Sequence, residues 1–180
     1  MAVYTYEIPY KLMLLHFLTG KAASLKYIEV TVGSQCISKA SDGSVACILK
    51  GPFFANQAMQ PVKTIYIDNT SAKRCVKSKQ NMIFELDTKG DSKLYNDEGV
   101  IDFIESHGEV ELVNYDEIFP EDKGTRSFAK FPLFAVNKMA SVLKGLNEQH
   151  INFSFYGEED PAVSEYNNGD FKTSFVTTMA

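Results

Sequence analysis

Three times along this 180-residue chain a strand-like segment is followed by a non-alternating stretch and then by two or more strand-like segments. That order constrains the fold more than any single segment, because an architectural repeat decides which elements must share a core. In the first unit VYTYEI leads into PYKLMLLHFLTGKAASLK (9–26), then KYIEVTV, QCISKAS and SVACILKG. In the second, KTIYID (63–68) leads into TSAKRCVKSK (70–79), NMIFEL (81–86), GVIDFIES (99–106) and EVELVNY (109–115). In the third, SFAKFPLF leads into FAVNKMASVLKGLN (134–147), HINFSFYG (150–157), PAVSEY (161–166) and DFKTSFVTTM (170–179). The residues of the units are not alike, so the repeat is one of order, about every 60 residues.

Local signals support each assignment. YIEVTV puts Ile28, Val30 and Val32 on one face and Tyr27, Glu29 and Thr31 on the other, the period-2 pattern of a half-buried strand. SDGS between two strand-like runs is a hairpin turn. Pro9 suits a helix start and Asp68-Asn69 supplies cap-type residues. Val136, Met139, Ala140 and Leu143 fall at i, i+3, i+4 and i+7, an apolar helical stripe. The pattern predicts an α+β chain of repeated β-α-β-β-β units, with antiparallel sheets outside and the helices on one face.

Charge is sorted by element. The chain is acidic, with net charge −5, yet the three helical stretches hold nine of its eighteen basic residues and none of its twenty-three acids. The nine are Lys11, Lys21, Lys26, Lys73, Arg74, Lys77, Lys79, Lys138 and Lys144. If the helices share a side, that side is positive and the rest negative, a surface suited to a polyphosphate backbone. A solvated basic face is the plain alternative for any one helix. Lysine outnumbers arginine sixteen to two, which points away from forked base readout and toward sequence-independent contact.

Other functions find little support. His16, His107 and His150 sit at no catalytic spacing, and there is no glycine-rich phosphate loop, G-x-S-x-G or H-E-x-x-H. The acid runs NDEG and GEED read as solvated loops. Cys36, Cys47 and Cys75 have no metal or redox spacing and read as buried thiols. The sequence thus predicts a non-enzyme with no cofactor and no metal. No apolar run approaches the roughly 18 residues of a membrane span. The first residues lack the basic start and cleavage site of a signal peptide, which predicts a cytoplasmic protein.

With these features in place, the sequence resembles the DNA sliding clamps, the processivity factors that include bacterial beta clamps, PCNA and phage clamps. KYIEVTVGSQCISKASDGSVACILKG (26–51) is similar to the early clamp hairpin. VNYDEIFPEDKGT (113–125) looks like the connector with its Phe-Pro step, and residues 131–180 look like the closing half of a last domain. The chain carries three units where two full domains would need four.

The resemblance implies a topological function, with a ring encircling duplex DNA non-specifically while tethering a replicative polymerase or other factors. On this reading the nine basic residues face DNA, and flexible lysines suit weak, mobile contacts. Residues 1–118 would form a clamp-like domain of two units and 119–180 a second, shortened one, joined by a connector at about 116–130. Partner peptides would dock at Phe119, Pro120, Pro161, Val163, Val176 and Met179, with core packing as the alternative role of those residues. The family further implies a homo-oligomer closed by edge strands, a possible clamp loader as partner, no membrane, and a phage or viral source acting in host cytoplasm. The competing expectation is a strand-rich viral interaction protein of clamp-like fold that does not encircle DNA.

Overall fold

Alternating apolar residues put the strands into two antiparallel sheets around one core. The computed structural model describes residues 3–87, 92–106, 113–118, 133–154 and 162–177. The first half contains strands β1 (Val3–Ile8), β2 (Tyr27–Val32), β3 (Gln35–Ser41), β4 (Val45–Phe53) and β5 (Lys63–Asp68). The second contains β6 (Met82–Asp87), β7 (Lys93–Asn96), β8 (Gly99–Val100), β9 (Ala162–Asn167) and β10 (Lys172–Thr177). One sheet has the order β1-β6-β7-β8 and the other β5-β2-β3-β4-β10-β9. The first two units exchange their leading strands, β1 pairing with β6 and β5 with β2. The third unit joins through β10, which pairs with β4 from Lys172↔Lys50 to Thr177↔Val45.

Side-chain alternation decides which way each strand faces. Ile28, Val30, Val32, Cys47, Leu49 and Phe175 point inward, all fully buried, each worth roughly 1.5–3 kcal/mol for a large apolar side chain. Ala46, Val163 and Val176 point outward and form a separate small cluster with Tyr115. The β3–β4 turn is built by Asp42, whose Oδ1 accepts from Ser44 N and Val45 N at 2.9 Å and from the Ser44 hydroxyl at 2.7 Å. Gly43 takes φ +91°, open to glycine at little cost. The three cysteines are free and buried, and burial pushes the Cys36 and Cys75 thiols up to about 11.

The helical stretches form with one change. The expected helix over 9–26 is instead a 3₁₀ segment at Tyr10–Leu18, a break, and a short one at Ala23–Leu25. Leu12, Met13, Leu14, Leu15 and Leu18 are all buried, so burial runs through consecutive residues instead of following the one-sided stripe of an amphipathic α-helix. Gly20 N–H donates to Leu25 O at 2.8 Å and closes the break. The other two stretches are α-helical, α1 at Asn69–Ser78 and α3 at Leu133–Gly145, with a four-residue helix α2 at Tyr115–Ile118 between them. Asp68 caps α1, its Oδ1 accepting from Thr70 N at 2.6 Å and Ser71 N at 2.9 Å.

Some expected strands differ. GVIDFIES pairs as a strand only at Gly99–Val100. Its chain then crosses to the other sheet, where Ile104 bridges Tyr66 of β5. The short strand β7 precedes it, unforeseen because KLYN is only four residues long. EVELVNY ends in α2 at Tyr115, with 107–112 outside the described residues. HINFSFYG contributes one bridge, Ser154 to Val163, and its residues 155–157 lie outside the described residues. SFAKFPLF enters α3 at Leu133, its first six residues being outside that range.

α3 docks tightly on the 3₁₀ segment at Gly145, where a Cβ would come within 2.5 Å of Leu14 Cδ2 and 2.8 Å of Cδ1. Leu14 is itself 4% exposed and has little room to yield. Gly145→Val is therefore expected to lower stability by about 1–3 kcal/mol, read as a lower urea midpoint. An unchanged midpoint would show that α3 does not depend on this contact.

Candidate nucleic-acid face and partner cleft

The two sides of the six-stranded sheet carry different chemistry, and the alternation of its strands is the cause. The 3₁₀ segment at Tyr10–Leu18 packs on β2, β3 and β4, α1 packs on the segment and on β2 and β5, and α3 packs on the segment. Ala72 and Cys75 of α1 and Ala135, Met139, Val142 and Leu143 of α3 enter the same core as the inward strand residues. None of these helices contributes to the outward cluster. The Tyr10–Leu18 segment, α1 and α3 thus lie on one side of this sheet, while Leu25, near the end of the first acid-free stretch, reaches the cleft described below.

Burial of one stripe of α1 decides where its cations go. Ser71, Ala72 and Cys75 are buried, and Lys73, Arg74, Lys77 and Lys79 are exposed. Lys79 ends the helix in the left-handed region at φ 57°, its N–H donating to Cys75 O at 3.1 Å. Lys21, Lys26 and Lys144 are exposed as well. Lys26 Nζ stands 5.5 Å from the Tyr27 ring centroid. Lys11 is half-buried with Nζ 5.4 Å over the Phe171 ring. Lys138, half-buried on α3, donates to Asp42 Oδ2 of the β3–β4 turn and lies 5.8 Å from the Phe134 ring. Eight of the nine basic residues singled out in the sequence have no carboxylate partner among the described residues, and Lys138 has one.

Two aromatics on these elements escaped the sequence reading. Phe17 is 39% exposed, and its ring sits 4.0 Å from that of His16. Phe134 is 53% exposed on α3. His16 is buried, and its Nδ1 has no hydrogen-bond partner among the described residues. Desolvation, with the positive charge of Lys73 second, holds its pKa below the ordinary 6.5. Asn69 of α1 ties the same turn, donating to His16 O at 2.7 Å.

On the opposite side, the segment 113–118 lies across the outward residues of β4, β9 and β10. Tyr115 is 6% exposed against Ala46, Val163 and Val176, with Val113, Ile48 and Ile118 half-buried beside it. Its phenol is pushed well up by burial, and Lys39 Nζ stands 5.6 Å from its ring. Between this segment and the β3–β4 turn opens a cleft of about 420 Å³. Leu25, Val45, Ala46, Val113, Ile118 and Val176 supply its apolar lining, with Ser41, Ser44 and Glu117 as polar groups. An apolar cleft with a few polar groups suits short peptide or small-molecule anchors.

Of the six residues expected at a partner pocket, Val163 and Val176 meet in the outward cluster and Val176 lines the cleft. Phe119, Pro120, Pro161 and Met179 lie outside the described residues. The β3–β4 turn and Tyr115 were missed. Their signal was present in SDGSVA, where Val45 and Ala46 break the alternation by being apolar on both faces. Among the described residues no group of His, Cys, Asp and Glu could hold a metal ion, and no helix is long and apolar enough to cross a membrane.

No protein family profile and no curated protein matches the sequence. Solved structures do match the fold. A DNA polymerase sliding clamp from Bacillus subtilis is similar with a TM-score of 0.68 at 11% identity, over 98% of this chain and 64% of that one. The DNA polymerase III beta subunit of Thermotoga maritima gives 0.68 at 12%, over 98% and 65%. A. fulgidus PCNA, solved with the C-terminal region of FEN-1 bound, gives 0.58 at 11%, over 98% of each chain. The chain therefore has the sliding-clamp fold, and it spans a little under two thirds of these two bacterial clamps.

The buried imidazole makes stability depend on pH. With its folded pKa lowered, the unfolded state binds the extra proton, so stability is full above about 6.5 and falls as pH drops below that value. Denaturant melts from pH 7.5 to 5.5 are expected to show this loss in the wild type and a smaller one in His16→Leu. Equal slopes would show that His16 is hydrated in the folded chain.

Proposed function

We propose that this chain is a subunit of a clamp-like processivity factor that encircles duplex DNA non-specifically and tethers a polymerase or another replication factor. The observation that carries the reading is the two-sided sheet, with acid-free helices on one side and an apolar cleft beside the connector on the other. Lys11, Lys21, Lys26, Lys73, Arg74, Lys77, Lys79 and Lys144 provide mobile cations for phosphates, each of which releases counterions when neutralised. The acidic remainder of the chain disfavours DNA elsewhere on the molecule.

In this reading residues 1–118 correspond to one clamp-like domain and 119–180 to a shortened second one whose described elements share the sheet and core of the first. A homo-oligomer closes the ring through edge strands, and a loader opens it where it does not open by itself. The protein acts in the cytoplasm, in a host cell if its source is a phage or virus. Catalysis has no part in this function.

Light scattering over a range of concentrations is expected to give a stable oligomer larger than a dimer. The slope of log affinity against log salt for a duplex is expected to fall by roughly 2 to 3 in the variant Lys73→Met/Arg74→Met/Lys77→Met, about 0.9 for each phosphate no longer neutralised. A strict monomer whose duplex affinity ignores these residues would instead support the clamp-like interaction protein that encircles nothing.

A further inference from the structure

Of the nine basic residues on the helical stretches, Lys138 alone among the described residues is joined to a carboxylate, and that carboxylate organises the turn whose neighbouring residues line the cleft. The side chain of Asp42 is 6% exposed. Its Oδ1 accepts from two turn amides and the Ser44 hydroxyl, and its Oδ2 accepts from Lys138 Nζ. Ser41, Gly43, Ser44 and Val45 of this turn line the cleft. Thr177 Oγ1 donates to Ser44 O at 3.2 Å, which ties the turn to the neighbouring strand β10. A Cβ on Gly20 would stand 3.4 Å from Asp42 Cα, so the turn is backed by chain as well.

We infer that Asp42 and Lys138 form a strut that positions the partner cleft, and that Lys138 serves this cleft rather than the phosphate-facing layer. The inference rests on the cleft reading proposed above. A phosphate could recruit Lys138 only by leaving a nearly buried carboxylate without its counter-ion, a costly exchange. Lys73, Lys77 and Lys144 carry no such cost. The strut also makes α3 the support of the turn, so the docking of the third unit sets the shape of a cleft whose wall belongs to the first.

The test compares wild type, Lys138→Met, Lys138→Arg and Lys73→Met/Lys77→Met. Three readouts serve: hydrogen exchange at the Ser44 and Val45 amides, affinity for a labelled peptide of the C-terminal region of FEN-1, and the salt slope for a duplex. Lys138→Met is expected to speed exchange and weaken the peptide by about tenfold or more, with the salt slope unchanged. Lys138→Arg restores both, since the cation rather than local packing is what matters. The Lys73/Lys77 pair does the reverse, losing about two from the slope and keeping the peptide. If Lys138→Met lowers the slope by about one and leaves exchange unchanged, Lys138 is a phosphate contact and the inference fails. A wild type that binds peptide no better than Lys138→Met does also overturns it. A wild type that binds the duplex and no peptide brings down the cleft reading, and the inference with it.

Discussion

The burial of Tyr10–Leu18 is the constraint on which the rest of the structure depends. This 3₁₀ segment buries six of its nine residues, and its leucines are covered by the inward face of the six-stranded sheet, by α1 and by α3. An isolated 3₁₀ run of nine residues has poor hydrogen-bond geometry and would not persist alone. It persists because dense packing surrounds it. Elements from all three units are held around this one segment, which explains how a chain built from three dissimilar units shares a single main core.

The same packing separates the chain's charges. A strand residue facing the core and its neighbour facing away differ by one position in the sequence, so the sheet carries two independent surfaces. Inward residues collect the helices and with them nine cations, of which Lys138 alone among the described residues has a carboxylate partner. Outward residues collect segment 113–118 and leave an apolar cleft at its edge. Asp42 is where the two sides meet, with one oxygen organising the turn beside the cleft and the other held from α3. Charge segregation of this kind favours weak, salt-sensitive contact with a polyanion on the charged side.

Much of this was legible from residues alone. The alternation of β2, the Asp-Gly turn and the cap at Asp68 are local patterns with local causes and appear in the fold as read, whereas the stripe of α3 is rotated: Met139 and Leu143 are buried as expected, but with Ala135 and Val142 in place of Val136 and Ala140. The 3₁₀ geometry at 10–18 was not legible, because a run with five consecutive buried residues, Leu12 to His16, has no periodic wet face to reveal its pitch. The crossing of GVIDFIES between sheets was hidden for another reason. Strand propensity describes a half-buried surface and says nothing of which edge receives the strand. At the cleft, Val176 was expected from the family resemblance alone, whereas Tyr115, within the strand-like run EVELVNY, forms a short helix that covers Ala46.

What the sequence by itself determined is the place of most strands, the position of α1 and α3 between them and the sorting of charge among the elements, since these follow from periods of 2 and 3.6 and from a count of acids and bases. Tertiary structure decided the pairing of β1 with β6, of β5 with β2 and of β10 with β4, because long-range pairing depends on edges that only the assembled core creates. It also decided the fate of Lys138. Eight cations on the helical stretches are without a carboxylate partner among the described residues, and the ninth is held by a nearly buried one contributed from 96 residues away. A pairing across that distance leaves no trace in local pattern, and only the docking of α3 on the first unit brings the two charges together.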